Sequence, residues 1–70
     1  MKIEITVTEK SGHPDQVFLH GVVMIDGMEF SSVSKMIRVD EMFEAVRREQ
    51  RFLLVLKLNQ EISEYVKAMK

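Results

Sequence analysis

Residues 16–30 read QVFLHGVVMIDGMEF, and this stretch decides the fold. Apolar side chains occupy both alternating sets of residues 16–25, a pattern typical of a central strand that is covered on both faces. Asp26 and Gly27 then interrupt the apolar pattern. Asp-Gly between two such runs favours a two-residue type I′ turn, because both residues tolerate positive φ angles. The stretch therefore predicts a β-hairpin whose first strand lies in the middle of a sheet.

The predicted turn also sets the register of the hairpin, because it leaves only two residues in the loop. Three cross-strand pairs are expected: Ile25 with Met28, Val23 with Phe30, and Gly21 with Ser32. Serines are frequent over residues 31–34, after which the apolar pattern returns at Met36. We expect one long, bulged strand that reaches about Val39. The alternative is a helix capped by Ser32 or Ser34.

The residues before the hairpin predict one more strand and a loop. Residues 1–8 alternate between apolar and polar side chains, which is the pattern of a half-buried strand. Residues 9–15 are expected to form a loop, because Ser11-Gly12-His13-Pro14-Asp15 concentrates residues that favour turns. The front of the chain is therefore read as strand, loop and hairpin.

The rest of the chain favours helix, since no glycine or proline follows Gly27. A helix is predicted over 41–50 with Asp40 as its N-cap, because apolar residues recur at helical spacing. A second helix is predicted over 60–69. Residues 51–59 are ambiguous: their continuous apolar run favours a buried strand, whereas their leucines and the lack of breakers fit a continuous helix.

Together these segments predict an α+β fold. The expected form is a small three- to four-stranded, mostly antiparallel sheet with two helices on one face, in the order β-β-β-α-β-α. The alternative is a three-stranded meander followed by one long or bent C-terminal helix over about residues 40–69. In both cases we expect residues 1–70 to form a single domain.

The small size of the chain limits its stability. A core built from 70 residues rarely supplies more than about 3–5 kcal/mol. The sequence has no cysteine and only two histidines, which excludes disulfides and argues against a structural metal. Association with a second copy is the most accessible further source of stability, and we expect a homo-oligomer, with a dimer favoured.

Charge and hydropathy argue against two other kinds of partner. The net charge of −1, from ten basic and eleven acidic residues, provides no field that would attract nucleic acid or an acidic membrane. No apolar run approaches the roughly 20 residues that a membrane span requires, and no signal peptide is visible. The expectation is a cytoplasmic protein without membrane contact.

Our leading hypothesis is a non-enzymatic protein–protein interaction module of the adaptor or inhibitor type, without a cofactor. The predicted central strand is apolar on both faces, and a chain this small cannot cover both. Six residues are the candidates for self-association: Phe18, Val22, Met24, Phe52, Leu54 and Leu56. The last three belong to segment 52–58, which as a strand could also pair edge to edge with its copy.

Two other functions remain as alternatives. Nucleic-acid binding would use the basic residues of segment 35–51, and four arginines are its candidates: Arg38, Arg47, Arg48 and Arg51. Acidic residues lie between them, so a solvated helix face explains the cluster better than a nucleic-acid site, and we expect no nucleic-acid partner. A small enzyme would have to bring His13, Asp15 or His20 together, because the sequence contains no nucleophile motif and no phosphate-binding loop.

Overall fold

The chain folds into a three-stranded antiparallel sheet covered on one face by a single long helix. This architecture comes from a computed structural model, which describes residues 1–69. Its elements, in chain order, are β1 (Ile3–His13), β2 (Gln16–Ile25), β3 (Met28–Arg38) and α1 (Phe43–Ala68). The strands form a meander with β2 in the middle. The α+β class is therefore confirmed and the alternative form is observed, whereas the predicted fourth strand and second helix are wrong.

The turn between β2 and β3 confirms the hairpin prediction. Asp26 has φ 51° and Gly27 has φ 83°, so both central residues are left-handed, as a type I′ turn requires. Ile25 pairs with Met28, as expected. The turn also holds the N-terminus, because Asp26 N donates to the carbonyl oxygen of Lys2 (2.8 Å) and Lys2 N donates to Asp26 Oδ1 (2.9 Å).

Beyond the turn, a one-residue bulge in β3 changes the predicted register. Val23 pairs with Ser31 instead of Phe30, and Gly21 pairs with Val33 instead of Ser32. The expected bulge is thus present, and Phe30 is its extra residue. The physical reason lies in two apolar sets that are out of phase by one position: Met28 with Phe30, and Val33 with Ile37. An inserted residue lets both sets face the helix.

Strand β1 is longer than predicted, and the proposed loop over 9–15 is wrong except at Pro14 and Asp15. Pairing between β1 and β2 continues to His13, with a register shift at Gly12. The polar residues of this segment suit an edge strand, where solvated side chains discourage pairing with other chains. The turn-forming residues of this segment therefore lie at the end of a hairpin, and Pro14 and Asp15 alone connect β1 to β2.

A single helix of 26 residues replaces the predicted helix–strand–helix sequence. Residues 51–59, for which a strand was favoured, are helical. The helical spacing places Leu54 and Leu58 on the same side, and both are buried against the sheet. The predicted N-cap at Asp40 is also displaced: the helix begins at Phe43, and Asp40 Oδ1 accepts a hydrogen bond from Met42 N (2.9 Å) in the preceding turn.

The core lies between the helix and one face of the sheet. Its buried members are Leu19, Val23, Ile25, Ile37, Leu54 and Leu58. The helix crosses the sheet diagonally, since Arg47 near its start contacts Glu9 on β1 and Tyr65 near its end packs edge-on against Phe30 on β3. Midway, the leucines lie directly over Gly21, where a Cβ atom would stand 2.3 Å from Leu54 Cδ2.

Candidate interaction surface

The face of the sheet opposite the helix has no second layer among the described residues 1–69. We call it the open face. On β2 it carries Phe18, His20, Val22 and Met24, because the alternate residues point into the core. Phe18 is 38% exposed, and Val22 and Met24 are half-buried. The three predicted self-association residues of this strand therefore form an apolar ridge that no residue within 1–69 seals.

The strand register places the ridge between polar edges. Four rows cross the open face, each written from β1 through β2 to β3: Glu4–Met24–Glu29, Thr6–Val22–Ser32, Thr8–His20–Ser34 and Lys10–Phe18–Met36. Met36, which is 46% exposed, widens the apolar surface beside Phe18. An apolar centre with a polar rim is the usual composition of a protein–protein interface.

Met36 was missed by the sequence reasoning because the bulge at Phe30 reverses which β3 side chains face the helix. In the uninterrupted register, Met36 would have paired with Val17 on the helix side. The available signal was the phase change between Met28 and Phe30 on one side and Val33 and Ile37 on the other. Locating the bulge from that phase change would have placed Met36 on the open face.

Local contacts hold the open face in a defined shape. The ring of Phe18 lies against the backbone of Gly12, where an added Cβ would approach Phe18 Cε2 to 2.7 Å. His20 Nδ1 and Ser34 Oγ share a hydrogen bond of 2.7 Å across the strands. Thr8 Oγ1 donates to the carbonyl oxygen of His20 at 3.4 Å. Side chains ordered in this way lose less conformational entropy when a partner binds.

The other predicted self-association segment is divided between the core and the outer side of the helix. Leu54 is 5% exposed and packs in the core, which removes it from any surface. Phe52 is 66% exposed and Leu56 43%, and helical spacing places both on the side away from the sheet. Edge-to-edge strand pairing through this segment is wrong, because its backbone hydrogen bonds are made within α1.

The four arginines of the nucleic-acid hypothesis do not form one patch. Arg47 contacts Glu44 (2.8 Å) and Glu9 (3.1 Å), and Arg51 lies 3.6 Å from the same Glu9 oxygen. The hydrogen bond and charge of Glu44, followed by those of Glu9, raise the pKa of Arg47. Arg38 pairs with Gln16 at the end of β3 and lies on the open face, away from the helix. Arg48 is exposed on α1.

The candidate catalytic residues remain apart in the described chain. His20 is hydrogen-bonded to Ser34 on the open face, whereas His13 ends β1 and Asp15 lies in the turn that leads into β2. Within residues 1–69, no group of three histidines or acidic residues is placed to hold a metal ion. One surface depression lies between the helix and the sheet and is lined by Phe30, Ser31, Glu61, Glu64 and Tyr65.

Comparisons with protein-family models, curated proteins and solved structures gave no match to this chain. Of the helical residues that the structure describes, none forms a stretch apolar enough to cross a membrane. The open face therefore has to be interpreted from its own chemistry.

Proposed function

We propose that this chain is a small, non-enzymatic protein–protein interaction module that works in the cytoplasm as a homodimer. The apolar ridge of the open face carries this proposal. Phe18, Val22 and Met24 stand in line on the central strand, and the part of the chain that the structure describes provides only one covering layer. Transfer of such side chains out of water stabilises association by roughly 25 cal/mol for each Å² of apolar surface buried.

The dimer leaves a second apolar surface for another protein. Phe52 and Leu56 are one helical turn apart on the outer side of α1, and both are substantially exposed. A module that associates through its sheet and presents this helical pair on each side is bivalent. Two weak contacts of one partner then reinforce each other through effective concentration. An adaptor or inhibitor would act in this way.

The test measures the oligomeric state of the protein and of two matched charge variants. We expect sedimentation equilibrium to show a reversible dimer for the natural sequence. Val22→Glu puts a carboxylate in the middle of the ridge, and we expect a monomer, because an unpaired charge is costly to bury. Leu56→Glu makes the same chemical change on the outer helix side and should remain dimeric. Circular dichroism of each variant verifies that the fold is retained.

Two results would count against the proposal. A natural protein that stays monomeric and cooperatively folded up to high micromolar concentration would remove the need for a partner on the open face. If Val22→Glu dimerises as well as the natural protein while Leu56→Glu does not, the association surface lies on the helix. Met24→Lys, on the same ridge, serves as the second variant if Val22→Glu fails to fold.

A further inference from the structure

The open face carries opposite charges at its two ends. At one end, Glu4 and Glu29 flank Met24 in a single row. At the other end, Lys10 flanks Phe18, and Arg38 follows at the end of β3. Lys2 contacts Glu4 at 3.0 Å on the exposed surface, so the acidic end still has an excess of one negative charge over these residues. The face is therefore electrically polar along the strand direction.

From this polarity we infer that the occupant of the open face is a second copy of the chain, with the strands of the two sheets running antiparallel. The two-fold axis would lie between the sheets, perpendicular to the strands, and pass between the rows of His20 and Val22. This inference rests on the proposed function and specifies its geometry. A symmetric dimer presents the same patch on both subunits, so complementarity has to exist within one patch.

The antiparallel arrangement pairs opposite charges on β1 and large apolar side chains on β2. It places Glu4 opposite Lys10 of the partner subunit, and the same contact is repeated by symmetry. Phe18 then faces the partner's Met24, and a thioether against an aromatic ring is a favourable contact. Thr6 faces the partner's Thr8 near the centre. Stacked sheets in sandwiches are rotated by about 30°, which long side chains at the rim can span.

The other symmetric way to stack two open faces has its axis along the strands, and charge opposes it. Each row would then face the same row of its copy, with β1 over the partner's β3. Glu4 would stand opposite the partner's Glu29, and both acidic ends would meet. Like charges placed face to face suppress an arrangement, which is how many interfaces set their orientation.

The size of the open face is compatible with a reversible dimer. Ten residues along each strand at about 3.3 Å and three strands about 4.8 Å apart give a face of roughly 33 by 14 Å. Two such faces in contact bury on the order of 1,000–1,300 Å² once the relief of the side chains is counted, which lies near the lower limit for specific interfaces. We therefore expect a dimer that dissociates on dilution.

Charge reversal on β1 provides the test. Glu4→Lys gives a chain with lysine at positions 4 and 10, and Lys10→Glu gives a chain with glutamate at positions 4 and 10. Each variant alone should dimerise about tenfold more weakly, since both symmetric contacts become repulsive. Mixed in equal amounts, the two should form heterodimers well above the statistical half, as read by native mass spectrometry. The double variant Glu4→Lys/Lys10→Glu should recover the natural affinity.

A matched control separates this contact from general charge attraction. Glu64→Lys and Lys67→Glu change the net charge by the same amounts on the exposed surface of α1, and their mixture should give the statistical heterodimer fraction. Edge-to-edge pairing of two β1 strands could also bring Glu4 near the partner's Lys10. Val22→Glu distinguishes this case, because it would abolish a face-to-face dimer and leave an edge dimer intact.

The outcomes separate this inference from the proposed function. If Val22→Glu prevents dimerisation but Glu4→Lys strengthens it, the copies associate through the open face with their acidic ends together, and only the antiparallel arrangement is wrong. Equal heterodimer fractions in the test and control mixtures would also overturn the antiparallel arrangement. If the natural protein does not dimerise at all, the proposed function itself fails.

Discussion

Gly21 is the position where one added methyl group should most disturb this fold. Its Cβ would stand 2.3 Å from Leu54 Cδ2, 2.9 Å from Leu58 Cδ1 and 3.3 Å from Leu54 Cγ. Both leucines are buried, so neither has free space into which to turn. Gly21→Ala therefore forces the leucines off their rotamers or lifts the helix from the sheet.

The magnitude follows from two opposing effects. Overpacking a core costs about 1–3 kcal/mol. Replacing a glycine inside a strand by alanine gives back about 0.5–1 kcal/mol through reduced backbone entropy. Taking the middle of each range, the net loss should be about 1 kcal/mol, a large share of the roughly 3–5 kcal/mol available to a core this small. Urea unfolding at a fixed protein concentration measures the loss, since dimerisation makes stability concentration-dependent.

Two further variants make this prediction specific. Gly12→Ala brings a Cβ to 2.7 Å from Phe18, but that ring is partly exposed and can move away, so the loss should be less than about 0.5 kcal/mol. In a Leu54→Ala background, Gly21→Ala should cost less or become neutral, because its closest contact is gone and Leu58 can turn into the space that Leu54 leaves. If Gly21→Ala matches or exceeds the natural stability in the unaltered background, the close approach of the helix is wrong.

Three other predictions concern the turn, the ion pairs and the outer helix side. Gly27→Ala should destabilise the protein by about 1 kcal/mol in urea unfolding, because its φ of 83° strains any residue with a side chain, although nothing lies within 4 Å of the added atom. Glu9→Gln removes the carboxylate that Arg47 and Arg51 share and should lower the free energy of unfolding only slightly, with the difference vanishing in high salt. Phe52→Ser should leave the unfolding midpoint unchanged, since the ring is 66% exposed; a marked loss would mean that the ring is covered in solution.

The parts of the fold that follow from short-range chemistry could be predicted from the sequence. Asp26-Gly27 specifies its turn because few residue pairs accept two positive φ angles, and the turn then fixes the pair Ile25 and Met28. The position of the bulge could not be read in the same way. It depends on which β3 side chains the helix has to cover, and that is a tertiary requirement.

The helix over residues 51–59 was misjudged for a related reason. A short run that is apolar all round has no period, so it fits a buried strand and a buried helix equally well. Gly21 could have indicated the helix, because a glycine inside a strand often marks the close approach of another element. In a helix, Leu54 and Leu58 are neighbours on one side, and both can reach Gly21. In a strand, the two leucines would lie about 13 Å apart, too far for both to contact one glycine.

The open face is best understood by comparing its middle strand with the strands beside it. On this face β1 and β3 present Thr6, Thr8 and the serines at 32 and 34, which are suited to solvent. The helix, about 10 Å wide, covers only one side of the sheet. In a monomer the open-face side chains of β2 would therefore contact solvent, and polar residues would suit those positions as they do on β1 and β3. Yet β2 is apolar at three of its four central positions, with His20 as the exception. Apolar side chains at the centre of a solvent-exposed face would lower the solubility of a monomer. A partner that excludes water from the centre of the face and leaves its rim solvated explains why these side chains are apolar.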